Sequence, residues 1–146
     1  ALLAFLIWNW SPSKLFMGDV GSTFLGAILI GLALMADTWQ QSLMIMMPSI
    51  PLLGDACICV IRRFFAQEDI FKAHSLHLFQ RLYQAGWTHS RISINYFLST
   101  FFVSIGVYFD SWIIIFMSLL VISIYAFYLE RKVAIPFKLS ILKSRL

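Results

Sequence analysis

Long apolar runs alternate with short polar segments along this chain, and four of the runs have the length of a bilayer-crossing helix. The longest covers residues 111–129 without a charged residue, and comparable runs cover residues 20–36, 42–61 and 92–109. About 20 apolar residues at 1.5 Å per residue cross a hydrocarbon core of about 30 Å. The pattern predicts four full transmembrane helices, preceded by a partial span that ends near Trp10.

Composition supports a membrane protein over a soluble one. Of the 146 residues, 60% are hydrophobic and only 12% are charged, whereas soluble domains usually carry about 25% charged residues. The predicted fold class is therefore all-α: a polytopic transmembrane helix bundle that forms a single membrane domain over residues 1–146. Because the chain starts inside an apolar run and without Met, we expect it to be the C-terminal part of a longer protein.

The basic residues predict the topology of the bundle. Every Lys and Arg falls in residues 11–19, 62–91 or 130–146, whereas the intervening loops contain Asp37 and Asp110 and no basic residue. Basic segments are retained in the cytoplasm, so the first two segments are predicted to be cytoplasmic loops and the third a cytoplasmic tail. Anionic lipid head groups account for the net charge of +4, and no nucleic acid partner is needed to explain it.

The first predicted cytoplasmic loop ends in a glycine-flanked acid. Asp19 lies between Gly18 and Gly21, directly before an apolar run. A carboxylate at the start of a helix can stabilise the positive end of the helix dipole. It can equally bind Mg²⁺ against a diphosphate, because Mg²⁺ prefers oxygen ligands. The residues alone leave both interpretations open.

The second cytoplasmic loop carries a cluster of cationic and titratable side chains. His74 and His77 are three residues apart and Arg81 follows one turn later, so in a helix they share a face. Imidazoles and a guanidinium suit a phosphate or diphosphate. The alternative is an amphipathic helix on the membrane surface. Its lipid-facing residues would be Leu76, Phe79, Leu82 and Tyr83.

Asp55 stands in the middle of the second predicted span, after Pro48 and Pro51. An ionisable residue at membrane depth is costly and usually faces protein or a cavity. The two prolines interrupt the helical hydrogen bonds and predict a bent or broken helix. A structural hydrogen bond to a neighbouring helix is the favoured interpretation of Asp55, and a catalytic role is the alternative.

Two segments together resemble a known family. The segment from Asn9 to Gly26, which contains Lys14-Leu-Phe-Met-Gly-Asp-Val-Gly-Ser22, is similar to a signature of the polyprenyl-phosphate N-acetylhexosamine-1-phosphate transferases of the glycosyltransferase family 4 type. The segment from His74 to His89 resembles the histidine-containing cytoplasmic loop of that family. It lacks the consecutive histidines of the peptidoglycan branch and is more similar to the branch that initiates O-antigen and related surface glycans.

The resemblance implies roles for individual residues. Asp19 matches the aspartate that binds Mg²⁺, and this favours metal binding over helix capping. Phe16 matches an aromatic residue that stacks on uracil, and Asn9 matches an asparagine that contacts the uridine. His74 and His77 match the histidines that hold the phosphates of the nucleotide sugar. Asp19, His74 and His77 are thus the expected catalytic residues, with Asn9, Phe16 and Arg81 expected to bind substrate.

The implied reaction joins a UDP-N-acetylhexosamine to a membrane lipid. Sugar 1-phosphate passes to polyprenyl (undecaprenyl) phosphate at the cytoplasmic face of the bacterial inner membrane, for cell-envelope glycan synthesis; a homodimer is left open. The family also uses an Asp-Asp pair and an Asn-rich segment ending in Asp-Gly, which this chain lacks, so we expect the chain alone to be inactive. The rival interpretations are a non-catalytic membrane remnant or interaction subunit and, less favoured, a transporter.

Overall fold

The computed structural model describes residues 2–10, 12–67, 76–137 and 139–141. Across these ranges the chain is helical and has no β-strand, so the predicted all-α membrane helix bundle is confirmed. The helices are α1 (Leu2–Asn9), α2 (Gly18–Leu34), α3 (Trp39–Met46), α4 (Ile50–Phe65), α5 (Leu78–Gln84), α6 (His89–Tyr108) and α7 (Trp112–Lys132).

Two helical stretches of the described chain are long and apolar enough to cross a membrane, judged by length and composition. One is Trp39–Phe65, which includes α3 and α4, and the other is Trp112–Lys132, which is α7. The apolar helix α2 is shorter, with 17 residues and a length of about 25 Å. Crossings by residues 20–36 and 92–109, and with them the count of four spans, stay predictions.

The helix that contains the two prolines is interrupted, as predicted. Helix α3 ends at Met46, a 3-10 turn covers Met47–Ser49, and α4 then begins at Ile50. Pro51 lies in the first turn of α4, where its missing N–H group has no intrahelical partner to lose. The break therefore places both prolines where they disturb few backbone hydrogen bonds.

Contacts divide the chain into two compact units, Ala1–Met47 and Pro48–Leu146. In the first unit α2 and α3 pack against each other, and the Ser42 hydroxyl donates a hydrogen bond of 2.6 Å to the Ala33 carbonyl. The hydroxyl of Thr38 accepts a hydrogen bond from the Gln41 backbone N–H and so caps α3. The hydroxyl thereby satisfies one of the backbone N–H groups in the first turn, which have no partner within the helix.

The second unit is built around the hairpin of α6 and α7. Val103 and Ile115 are fully buried at their contact. Asp110 adopts a left-handed conformation (φ 49°) at the tip, and the Ser111 N–H then bonds the Gly106 carbonyl at 3.0 Å. A smaller apolar cluster packs α5 onto the start of α6 and the end of α7. It consists of Leu82, Ile92, Leu129 and Ala134.

Gly106 is the point of closest approach in the hairpin, and its substitution tests this packing. A Cβ at Gly106 would lie 2.8 Å from the backbone nitrogen of Ile115, whereas a Cβ at Gly54 in α4 would meet nothing within 4 Å. We expect Gly106→Ala to destabilise the protein by about 2 kcal/mol through overpacking. The matched control Gly54→Ala should be neutral or stabilising by up to about 1 kcal/mol, because Ala favours helix over Gly. Thermal unfolding in detergent measures both, and equal midpoints for the two variants would contradict the close packing.

Candidate functional site

The predicted uridine contact, Asn9, organises its own loop. Its side-chain Nδ2 donates a hydrogen bond of 2.8 Å to the Leu15 carbonyl, and the backbone N–H groups of Lys14 and Leu15 both donate to the Trp8 carbonyl. These bonds fold the segment after α1 back onto the end of that helix. The amide oxygen of Asn9 is still an acceptor for a ligand, so the predicted contact with uridine stays a prediction.

Phe16 lies in the same loop with most of its ring uncovered. Its exposed fraction is 78%, similar to that of Phe65 at 79%. An open aromatic face is what stacking on a flat base requires. The exposure is therefore compatible with the predicted role of Phe16.

Asp19 lies in the first turn of α2, after a glycine in the left-handed conformation. Gly18 has φ +66°, which side chains rarely adopt, and Met17 at the N-cap makes no side-chain hydrogen bond to the helix. The Asp19 carbonyl accepts from the Ser22 hydroxyl at 3.0 Å. The Asp19 carboxylate is exposed and makes no hydrogen bond or ion pair within the described ranges. Its charge favours the helix dipole, but no hydrogen-bonded cap is formed.

The surroundings of Asp19 suit one kind of metal site. Among the described residues no group of three His, Cys, Asp or Glu side chains is arranged to hold a metal ion. Mg²⁺ does not need such a cage, because proteins usually bind it through one or two carboxylates together with water and substrate phosphates. A single exposed carboxylate with no partner in the part of the chain that the structure describes fits this pattern, and it does not fit a closed structural zinc site.

His77 directly precedes α5 and faces a carboxylate. Its Nδ1 is 3.8 Å from Oδ2 of Asp55, and its ring stacks on Phe79 with a centroid distance of 5.4 Å. Its backbone N–H donates to Oε1 of Gln80 at 3.1 Å. The other predicted histidine, His74, lies outside the described residues. The prediction that a helix places both histidines on one face is wrong, because Leu76 and His77 are not helical and α5 begins only at Leu78.

The burial of two leucines contradicts the alternative interpretation of this loop as an amphipathic helix on the membrane surface. Leu76 and Leu82, expected to face lipid, are only 4% and 2% exposed, whereas Phe79 and Tyr83 are exposed. The difference arises because Leu82 packs into the apolar cluster between α6 and the end of α7. Helix α5 is thus embedded in protein on one side.

Asp55 makes the structural hydrogen bonds that its position in an apolar run suggested. Its Oδ1 accepts the Leu78 backbone N–H at 2.8 Å, and its Oδ2 accepts the Tyr96 hydroxyl at 3.1 Å. The side chain is only 11% exposed. One carboxylate therefore joins α4 to the start of α5 and to α6.

Arg81 is held by the protein itself. Its guanidinium Nη2 contacts Oε1 of Glu130 at 2.9 Å, and Nη1 donates to the Ile135 carbonyl at 3.2 Å. Glu130 also forms a two-pronged ion pair with Arg62. Burial of Arg81, with the nearby Arg62 charge, lowers the pKa of its guanidinium below the ordinary value. The predicted substrate contact by Arg81 stays a prediction, since its guanidinium already has these partners.

A cavity of about 310 Å³ opens between α4, α5, α6 and α7. Most of its lining is aliphatic or aromatic. Its charged residues balance, because Asp55 and Glu130 are matched by Arg62 and Arg81. A charge-balanced apolar space suits hydrocarbon or uncharged groups and does not suit a diphosphate.

Two polar partners were not anticipated from the sequence: Tyr96 and Glu130. Each is a polar side chain within or at the end of an apolar run, and such residues usually face protein. That signal could have identified them as bundle-facing residues. It could not have identified which residues they contact.

Comparison with known proteins shows where the chain is similar to others. Glycosyl transferase family 4 matches over residues 1–37. A phospho-N-acetylmuramoyl-pentapeptide-transferase of Kineococcus radiotolerans is 32% identical over 77% of this chain and 31% of its own length. A probable undecaprenyl-phosphate N-acetylglucosaminyl 1-phosphate transferase of Bacillus subtilis is 30% identical over 88% of this chain and 37% of its own length.

The chain spans about a third of the length of these curated relatives. A second phospho-N-acetylmuramoyl-pentapeptide-transferase, from Halalkalibacterium halodurans, shows the same coverage, at 32% identity over 77% of this chain and 34% of its own length. No solved structure matches the chain significantly. The likeness thus comes from sequence and includes relatives with two different sugar substrates in their names.

We expect the ion pairs of Glu130 with Arg62 and Arg81 to stabilise the folded protein. Glu130→Gln keeps the shape of the side chain but leaves Arg81 and Arg62 without their negative partner. We expect a loss of about 2 kcal/mol in the free energy of unfolding, because a buried charged group loses its compensating partner. Asp37→Asn, at an exposed acid with no ion pair within the described chain, is the matched control and should change stability little. Thermal unfolding in detergent gives both values, and equal midpoints would show that these ion pairs contribute no stability.

Proposed function

We propose that the protein is a member of glycosyl transferase family 4, which matches residues 1–37, and that it transfers an N-acetylated sugar 1-phosphate from a UDP-sugar to polyprenyl phosphate. The observation that carries the proposal is Asp19, an exposed carboxylate with no partner among the described residues. It lies in a segment that resembles the signature of the family and within the residues that match it. The relatives with transferase names support it over most of the chain.

The reaction is a displacement at phosphorus. An oxygen of the polyprenyl phosphate attacks the β-phosphorus of the UDP-sugar and forms a new P–O bond. The bond between that phosphorus and the bridging oxygen breaks, and UMP leaves with that oxygen. The products are polyprenyl-diphospho-sugar and UMP, so no oxidant or reductant is needed.

The donor would be held by the loop after α1. Phe16 offers an exposed ring for stacking on uracil, and Asn9 offers its amide oxygen to the uridine. Because Nδ2 of Asn9 is bonded to the Leu15 carbonyl, the amide is oriented before substrate binds. A preoriented acceptor loses less entropy on binding than a freely rotating one.

Asp19 would hold the metal of the reaction. Bound Mg²⁺ would neutralise charge that develops on the diphosphate in the transition state. His77, with His74, would contact the phosphates of the donor through imidazole N–H groups. Such positioned donors stabilise a transition state because they require no reorganisation during the reaction.

We expect the reaction to take place at the membrane, because the proposed acceptor is a lipid. Polyprenyl phosphate carries its phosphate at the bilayer surface, and the predicted loops at residues 11–19 and 62–91 contain most of the candidate residues. The distribution of basic residues favours the cytoplasmic face of the bacterial inner membrane for both loops. A membrane-embedded scaffold lets the lipid phosphate enter without leaving the bilayer.

The identity of the sugar is proposed from the amino-acid sequence of the predicted loop at residues 62–91. His77 is followed by Leu78, Phe79 and Gln80, and consecutive histidines are absent from that stretch. This form favours a UDP-N-acetylhexosamine donor and a surface glycan such as O-antigen over the peptidoglycan precursor. Membranes supplied with UDP-N-acetylglucosamine or with the peptidoglycan nucleotide would distinguish the two donors.

Asp19→Asn in the full-length protein tests the metal role directly. We expect incorporation of labelled sugar into the lipid fraction of membranes to fall about 100-fold, because the asparagine lacks the charge that binds a hard cation. Asp37→Asn, outside the candidate site, is the control and should retain activity. Immunodetection of both variants in the membrane establishes equal amounts. Near-normal incorporation by Asp19→Asn would refute the metal role.

A further inference from the structure

The side chain of Asp55 is directed at His77 as well as at the backbone of α5. Its Oδ1 accepts the Leu78 N–H, so one oxygen is bonded to the residue next to His77. Its Oδ2 is the atom nearest Nδ1 of His77, at 3.8 Å. That separation is an ion-pair distance and is longer than a hydrogen bond.

The ring of His77 is restrained on a second side. It stacks nearly parallel to Phe79, with an angle of 17° between the planes, and Phe79 in turn makes an edge contact with Tyr96. Tyr96 donates its hydroxyl to the same Asp55 oxygen. The four residues therefore form a cycle of contacts, in which the imidazole itself contacts the carboxylate and the Phe79 ring.

We propose that Asp55 is a positioning residue that orients His77 for contact with the phosphates of the donor. The inference rests on the proposed function, because it assumes that His77 contacts substrate. The carboxylate lies on the Nδ1 side of the ring and so limits the rotation of the imidazole. The direction in which the ring can donate to a phosphate is thereby fixed. Asp55 itself touches neither substrate nor metal.

The burial of Asp55 in the bundle indicates that its carboxylate does more than form hydrogen bonds with α5 and α6. A carboxylate that is 11% exposed in an apolar helix is costly. An asparagine could accept the Leu78 N–H and bond the Tyr96 hydroxyl equally well, without a charge. What only the carboxylate adds is negative charge, which lies beside Nδ1 of His77 and also acts on Arg81.

Aspartate and asparagine at residue 55 can be compared directly by substitution. Asp55→Asn and His77→Gln are made singly and together in the full-length protein, and kcat for sugar transfer is measured in membranes. If Asp55 acts through His77, Asp55→Asn lowers kcat about tenfold when His77 is present and changes it less than twofold when His77 is already Gln. Such non-additivity marks residues that act as one unit.

Glu130→Gln is the matched control for loosening of α5. It makes the same carboxylate-to-amide change at another anchor of α5, through Arg81, and leaves the charge beside His77 intact. Its effect on kcat should be the same whether residue 77 is His or Gln. Equal, multiplicative losses for Asp55→Asn in the two backgrounds would overturn the positioning role and leave the proposed function standing. A His77→Gln variant with full activity would overturn both the substrate role of His77 and its positioning.

A spectroscopic measurement tests the effect of Asp55 on the His77 ring independently of transferase activity. With ¹⁵N-labelled histidine, the imidazole signals of His77 are assigned as those lost in His77→Gln. We expect these signals to shift in Asp55→Asn and to stay unchanged in Glu130→Gln, because only the first substitution changes the group beside the ring. An unchanged spectrum would refute the positioning role, and a shifted spectrum in a protein without transferase activity would refute only the proposed function.

Discussion

The anchoring of one short helix to its neighbours is the constraint on which the second unit depends. Helix α5 has seven residues, far fewer than an isolated helix needs to be stable in water. It is held at its start by Asp55, in its middle by the ion pair of Arg81 with Glu130, and at its end by the Ser140 hydroxyl, which donates to Gln84 at 3.1 Å. Because these anchors come from α4, α7 and the segment after α7, the helix forms only when the rest of the unit has assembled.

Charge at these anchors is balanced locally rather than exposed to water. Glu130 serves two guanidinium groups, and the ring of Phe137 lies within 6 Å of both, at 5.9 Å from Arg62 and 5.6 Å from Arg81. An aromatic face adds attraction for a cation without adding another charge to be buried. Together these contacts offset the cost of removing Arg81 from water. A buried pair of this kind defines one arrangement of helices, because any other leaves a charge without a partner.

The sequence predicted features that depend on local pattern and missed those that depend on pairing. Long apolar runs predicted the all-α fold, and Pro48 with Pro51 predicted the interrupted helix, because both follow from backbone chemistry. The structural role of Asp55 followed from the cost of a charge in an apolar run. The partner of Arg81 did not, since 49 residues separate it from Glu130 and no periodicity relates them. The lipid-facing assignment of Leu76 and Leu82 was wrong because an apolar face does not reveal whether lipid or protein covers it.

The two groups of candidate residues differ in how firmly the chain holds them, and their chemistry explains the difference. Asp19 and Phe16 are exposed, whereas the His77 side chain is only 26% exposed and contacts Asp55 and Phe79. A carboxylate binds a cation through a charge that varies little with direction, and an exposed ring can adjust to a base that arrives with the ligand. An imidazole presents one proton on one of two nitrogens, so its use depends on which nitrogen faces the substrate. Orientation must therefore be supplied by neighbouring residues for the histidine, whereas the incoming donor and metal can supply it for Asp19 and Phe16.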